Sequence, residues 1–282
     1  MKSANPDPID IALTEDIGSG DITSNSFVSK NAQSAARIIA RERAILAGSQ
    51  TAAEVFRRVD ATLKVRVTGK DGDELNAGDA VLAIEGLTRS ILTAERVALN
   101  FLQRLSGIAT VTRRFVDAAA NQHVKILDTR KTTPGLRSLE RAAVVAGGGT
   151  NHRFGLFDMV LIKDNHLAAI TRFDELAKMV RKFREAHPKL QVEVEADTLD
   201  QVHDFLRIDG IDVILLDNMK PAEIREALAL GKNKVKFEAS GGITLKNIRQ
   251  IAATGVDFIS IGAITHSAPA IDFSLEISDA GA

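Results

Sequence analysis

From residue 120 onward the chain alternates short apolar, β-branched runs with amphipathic segments, and this alternation constrains the fold more than any other feature. The runs fall at 124–127, 159–162, 192–195, 213–216, 235–238 and 258–261. Each is short and apolar enough for a strand buried on both faces. The segments between them, such as 173–187 and 245–254, carry helical periodicity. Strand, helix, strand in this order means parallel strands joined by right-handed crossovers. Six such strands either close into a small barrel or stay open.

Polar residues follow every run. Arg130 and Lys131 come after the first, Lys163 and Asn165 after the second, and Glu195 ends the third. Asp217 and Asn218 follow the fourth, Ser240, Gly241 and Gly242 the fifth, and Gly262 the last. The carboxyl ends of parallel strands are where such sheets place their chemistry, because the loops there converge on one mouth. The early cations point to an anionic ligand. The middle carboxylates suit Mg²⁺ or ribose hydroxyls, and the late glycines leave backbone N–H groups open to cradle a phosphate. A phosphorylated sugar with a metal, facing a second anion, fits all three. Taken singly, each piece has a plainer reading. Val-Glu-Val-Glu can be a salt-bridged strand, Ser-Gly-Gly a turn, and Arg96 a solvated helical arginine. His152 and His166 lack the spacing of a metal motif. The weight comes from all six strands carrying polar function at the same end.

The first 120 residues differ in pattern. Residues 9–24 read as a short helix entering an acidic, Gly-containing loop. A strand is expected over 36–46, a helix over 48–59, a strictly alternating strand over 63–69 and another strand over 80–84. This hairpin-rich stretch resembles the half-barrel of lipoyl and biotinyl domains, but no lysine sits at the matching turn, so its use is structural. Residues 93–120 predict one or two helices with a break at Ser106 and Gly107. Formal net charge is -1 over 282 residues, so an anion site must be a local concentration of charge and nucleic acid is not favoured. With no Trp and no Tyr, stacking platforms for bases are nearly absent. The chain has no cysteine, no apolar leader at its start and no run of membrane-spanning length, so a cytoplasmic location without membrane association is the expectation.

The motifs TRKTTPGLRSLE, GGGTNHRFGLFDMVLIKDNH, VEVEA, ILLDNM, EASGGIT and DFISIGAITHSAPAIDFSL, with EDIGSGDITS and ERVALNFLQRLSGIAT, span nearly the whole chain. Together they resemble the quinolinate phosphoribosyltransferases, or carboxylating nicotinate-nucleotide pyrophosphorylases. The resemblance implies an α/β protein: an incomplete β/α barrel of about six parallel strands (106–265) with an N-terminal α/β sandwich (1–105), to which the tail (266–282) returns. It implies the conversion of quinolinate and phosphoribosyl pyrophosphate to nicotinate mononucleotide, pyrophosphate and CO2, with Mg²⁺. Carried over by position, it assigns Arg130, His152, Arg153 and Lys163 to quinolinate. Lys131 falls at the junction with the phosphoribosyl donor. Glu195 and Asp217 serve the ribose and the metal, the latter largely through substrate and water, and Ser240, Gly241 and Gly262 the 5′-phosphate. Lys131, Glu195 and Asp217 are the expected catalytic residues. Arg96 is implied to reach the neighbouring subunit's site, which requires a homodimer or a dimer-based oligomer. Rival readings are a pyrophosphorylase-like protein associated with molybdate transport, a Schiff-base aldolase using Lys163, and a non-catalytic anion-binding barrel.

Overall fold

The computed structural model describes residues 7–170, 173–231 and 234–279. In chain order its strands are β1 (Gln33–Ala40), β2 (Ala44–Ile45), β3 (Lys64–Val67), β4 (Glu74–Leu75), β5 (Ala80–Leu87) and β6 (Lys125–Leu127). They continue with β7 (Val160–Ile162), β8 (Val192–Ala196), β9 (Val213–Asp217), β10 (Lys236–Ser240), β11 (Phe258–Ser260) and β12 (Phe273–Asp279). The chain divides into two compact units.

The first unit comprises the residues up to Arg113, Thr132–Gly148 and the chain from Thr265 onward. Its main sheet is antiparallel in the order β12-β1-β5-β3. Alternation puts Ile38, Leu82 and Ile84 on the covered face, where all three are fully buried. Helix Ser49–Val59 adds Ala52, Ala53, Val55 and Phe56 to this core. The expected strand at 36–46 is two pieces, β1 and β2, because the charged stretch 41–43 leaves the sheet. The chain's end does return here: β12 pairs with β1, with Leu275 opposite Ile38.

Ser106 and Gly107 do not break a helix. Thr88–Ala119 is one continuous helix of 32 residues. The two residues mark instead where other backbone comes closest to it. The Ser106 Oγ accepts from the Ala47 N–H at 3.0 Å and donates to the Ala47 carbonyl at 3.1 Å. A Cβ on Gly107 would lie 2.1 Å from the Pro269 carbonyl oxygen. Glycine is present because space is lacking, not because the helix ends. Nearby, Arg104 ion-pairs at 2.8 Å with Glu140, which is fully buried, and also donates to Thr133 Oγ1. Glu140 lies on helix Arg137–Ala146, and this contact helps tie Thr132–Gly148 to the first unit although the sequence reading placed that segment with the barrel.

The second unit comprises Arg114–Lys131 and Gly149–Ile264. Its six strands are all parallel, in the order β6-β11-β10-β9-β8-β7. All six lie where the apolar runs predicted them. The order is that of a barrel opened between its first and second strands, since β6 and β7 are the two edges. Part of the free edge of β6 is occupied by Thr150, which bridges Leu127, donates to the Ile126 carbonyl and accepts from the Asp128 N–H. In-register neighbours share a face of a sheet. Glu193, Glu195 and Glu238 therefore lie on one face with Leu215 and Phe258, opposite Val192, Val194 and Ala196.

The Gly107 site yields a test whose sign decides the matter. In an open helix position alanine would stabilise relative to glycine by about 1 kcal/mol. Because the Cβ meets a carbonyl oxygen here, Gly107→Ala should instead lose about 1–3 kcal/mol, the scale of overpacking. Urea midpoints of the two proteins check this, and a more stable variant would show that a Cβ has room beside the Pro269 carbonyl.

Candidate active site

The carboxyl ends of β7 to β11 bring several of the expected residues together. Lys163 directly follows β7 and precedes the short helix Asp164–Leu167. Its Nζ lies 3.0 Å from Glu195 Oε2, so the second and third strand ends are joined by an ion pair. Glu195, Asp197 and Asp217 each place a carboxylate oxygen within 4.8 Å of the others. This all-oxygen set is the kind a hard divalent cation prefers. Burial raises the pKa of Asp217, with Glu195 adding to the rise and the Asn218 hydrogen bond opposing it.

The next two strand ends are shaped by backbone. Asn218 has φ +54, donates its side-chain amide to Asp217 at 2.7 Å and its backbone N–H to the Ser240 carbonyl. A Cβ on Gly241, at φ +83, would fall 2.2 Å from Asn218 Oδ1. No other residue fits there, for reasons of both space and conformation. Gly242 is also left-handed, at φ +60, and Gly262 follows β11 by two residues. Ser240, Gly241 and Gly262 thus sit at or just beyond the carboxyl ends of β10 and β11.

The cations are placed less uniformly. Arg130 and Lys131 follow β6 and are exposed. Arg153 is half-buried and donates to the Met159 carbonyl. Its pKa is lowered by burial and by the neighbouring Arg130 guanidinium, while Glu193 and Asp158 oppose. Arg96 is exposed on the long helix of the first unit.

His152 turns inward. Its Nε2 lies 3.1 Å from Glu193 and 3.4 Å from Glu238, carboxylates that are 1% and 2% exposed. Its Nδ1 accepts the Arg153 N–H at 2.8 Å, and its own N–H donates to the buried Asp128 at 2.7 Å. Burial, the largest influence on this ring, opposes a charge on it, while the two carboxylates favour one. Geometry decides where the proton sits. A nitrogen that accepts a hydrogen bond carries no proton, so His152 is the neutral Nε2–H tautomer. The remaining proton belongs on the carboxylates, and Glu193 is the group whose pKa rises, through burial and then the proximity of Glu238. Neither Glu193 oxygen has a well-aligned hydrogen bond, so the contact with His152 is mainly electrostatic. The same tautomer disfavours a metal at His152, Glu193 and Glu238, because the nitrogen facing the carboxylates is protonated. Sequence reasoning did not find Glu238, Asp197 or Asp128. An acid flanked by Phe237 and Ala239 inside a buried strand was the available signal for Glu238.

Residues 108–276 match the family described as quinolinate phosphoribosyl transferase, C-terminal domain, and residues 21–106 match its N-terminal domain. The chain belongs to the quinolinate phosphoribosyltransferase family. It is 43% identical to a probable carboxylating nicotinate-nucleotide pyrophosphorylase of Bacillus subtilis, covering 94% of this chain and 90% of that one. It is 42% identical to decarboxylating quinolinate phosphoribosyltransferase 1b of Nicotiana tabacum, over 95% of this chain and 81% of the relative. The crystal structure of NadC from Streptococcus pyogenes superposes with a TM-score of 0.90 at 40% identity, covering 96% and 95% of the two chains.

In this quinolinate phosphoribosyltransferase family member the buried acid pair makes stability depend on pH. The Glu193 carboxyl ionises near pH 7 when folded, against an ordinary value of 4.5. Between those values the folded chain keeps a proton that the unfolded chain has released. The contribution of this group is therefore greatest below pH 4.5 and is lost as pH rises through about 7. Glu193→Gln cannot ionise, so its Tm relative to wild type should improve steadily across that window. A pH-independent difference would mean that Glu193 is ionised throughout.

Proposed function

We infer that this protein transfers the phosphoribosyl group of phosphoribosyl pyrophosphate to the ring nitrogen of quinolinate. Pyrophosphate is released and the 2-carboxylate lost as CO2, giving nicotinate mononucleotide for de novo NAD synthesis. The match to both family domains carries this reading. The strand-end chemistry supports it, with Lys163 on Glu195 beside Asp197 and Asp217, and the glycines of the fifth strand end.

The residues divide the work by charge. Arg130, Arg153 and Lys163 pair the two carboxylates of quinolinate and aim its nitrogen, while His152, whose Nδ1 takes the Arg153 N–H and whose Nε2 faces Glu193 and Glu238, supports the corner that carries Arg153. Departure of pyrophosphate leaves positive charge on the ribose C1′, which Glu195 and Asp217 stabilise while Lys131 meets the leaving group. Ser240, Gly241 and Gly262 hold the 5′-phosphate, so the sugar is oriented before the bond breaks. Once the ring nitrogen is bonded to C1′ it is cationic. The ring then accepts the electron pair left at C2 as CO2 departs, and C2 takes a proton. Mg²⁺ is the proposed cofactor, held by Glu195 and Asp217 largely through substrate and water, where it would neutralise pyrophosphate charge. The oxygen donors of Glu195, Asp197 and Asp217 fit it. Lys163 is ion-paired and half its side chain is exposed, surroundings that suit an anion clamp better than a desolvated Schiff-base lysine.

The deciding assay combines quinolinate, phosphoribosyl pyrophosphate and Mg²⁺ and measures nicotinate mononucleotide and CO2. Chelation by EDTA should abolish turnover, and added Mg²⁺ should restore it. Nicotinate lacks one carboxylate and would leave a cation unpaired, so its kcat/KM should be at least about 100-fold lower. Comparable efficiency for the two acids would sink the assignment.

A homodimer with shared sites and a cytoplasmic location belong to the same proposal. No helix among the described residues is long and apolar enough to cross a membrane. The exposed Arg96 is the residue proposed to serve the neighbour's quinolinate, where a guanidinium fork can pair a carboxylate bidentately. Arg96→Ala and Lys163→Ala subunits, each inactive alone, should regain activity when mixed, because one site of each mixed dimer then carries neither lesion. No recovery after demonstrated subunit exchange would confine Arg96 to its own chain.

A further inference from the structure

The reaction as derived makes no use of Glu193 and Glu238, although they are among the most buried charged side chains described. A carboxylate pair inside a barrel is costly unless partners compensate, and well-packed apolar residues at such positions are often as stabilising or more so. Both oxygens of Glu193 and Oε1 of Glu238 lack an aligned hydrogen bond. Stability alone does not account for the pair.

Their geometry supplies another reason. They come from strands β8 and β10, separated by β9, and converge on one atom, His152 Nε2. The other side of the same ring receives the Arg153 N–H, and the His152 N–H is held by Asp128 just beyond β6. The ring cannot turn over without losing the contacts on both nitrogens. A polar chain thus runs from the end of β6 through the His152–Arg153 corner to β8 and β10, across the interior of a barrel whose ring of strands is interrupted beside β6. His152, Arg153, Glu193 and Glu238 line one cavity of about 270 Å³.

We propose that Glu193 and Glu238 are positioning residues, which lock the His152 ring from the barrel interior and so hold the His152–Arg153 corner in the geometry that presents the Arg153 side chain to the substrate diacid. The inference rests on the reading of Arg153 as a quinolinate contact. The carboxylates act through His152, and their effect falls on the acceptor substrate and not on the phosphoribosyl donor.

Glu238→Leu removes one of the two carboxylates that face Nε2 while keeping an apolar volume in the core. The KM for quinolinate should rise about tenfold or more, the scale for misplacing a binding group. The KM for phosphoribosyl pyrophosphate should change less than about twofold, and Tm should hold or increase. Glu238→Gln, which still offers an oxygen to Nε2, should recover most of the loss. Independently of activity, ¹⁵N spectra of the wild-type protein should show His152 with an unprotonated Nδ1, and Glu238→Leu should lose that single-tautomer signature. An unchanged quinolinate KM in Glu238→Leu overturns the proposal, as does a fall of Tm with both KM values unmoved. A protonated Nδ1 in the wild-type spectrum overturns it even if the leucine variant does not fold. A wild-type protein that ignores quinolinate would refute the assigned reaction, and the ring spectrum would still decide whether the carboxylates lock His152.

Discussion

The pleat of β8 is the constraint on which the site depends. Val-Glu-Val-Glu-Ala is buried along its whole length, so the strand cannot send its acids to solvent. Period-two alternation places Val192, Val194 and Ala196 on one face and both glutamates on the other. Each glutamate must then find its own partner. Glu195, at the carboxyl end, meets Lys163 from the neighbouring strand and stands beside Asp197 and Asp217. Glu193, one layer deeper, meets His152 and Glu238. One strand thereby divides the barrel into a charged mouth and a buried polar floor.

The opening between β6 and β7 gives this floor its shape. A closed ring would pair these strands with each other and leave the segment after Gly149 outside. Here Thr150 takes part of the β6 edge, which directs His152 and Arg153 toward the interior. The backbone that compensates an unpaired edge is the backbone that carries His152 and Arg153. The site is therefore built partly from a defect in the barrel, and the hydrogen bond to buried Asp128 fixes where that backbone turns.

Glycine has two different physical roles in the molecule. Gly107 lies within a regular helix and is excluded from bearing a side chain by the Pro269 carbonyl. Gly241 lies at a strand end, where a left-handed φ and the Asn218 side chain both forbid a Cβ. In the sequence the first looks like a helix break and the second like a turn, and only the second expectation describes the backbone. Local sequence reports a missing Cβ but not the atom that needs its space.

Much of the fold was legible because burial on both faces writes a continuous apolar run, and six such runs gave six parallel strands. The site's strand ends were legible for the same reason, since polar residues that stop an apolar run mark one end of the sheet. Lys163, Glu195, Asp217, Ser240 and Gly241 were therefore findable from order alone. Periodicity, however, records which face a residue takes and not what waits there. That Glu193 and Glu238 meet at one histidine nitrogen depends on strands 45 residues apart being two places apart in the sheet. That Glu140 draws Thr132–Gly148 to the first unit depends on Arg104, on a helix that precedes it. The sequence by itself determined the elements, their parallel sense and the end at which chemistry gathers. The tertiary structure decided the partners, because pairing of buried charges is set by register and strand order, which no local pattern contains.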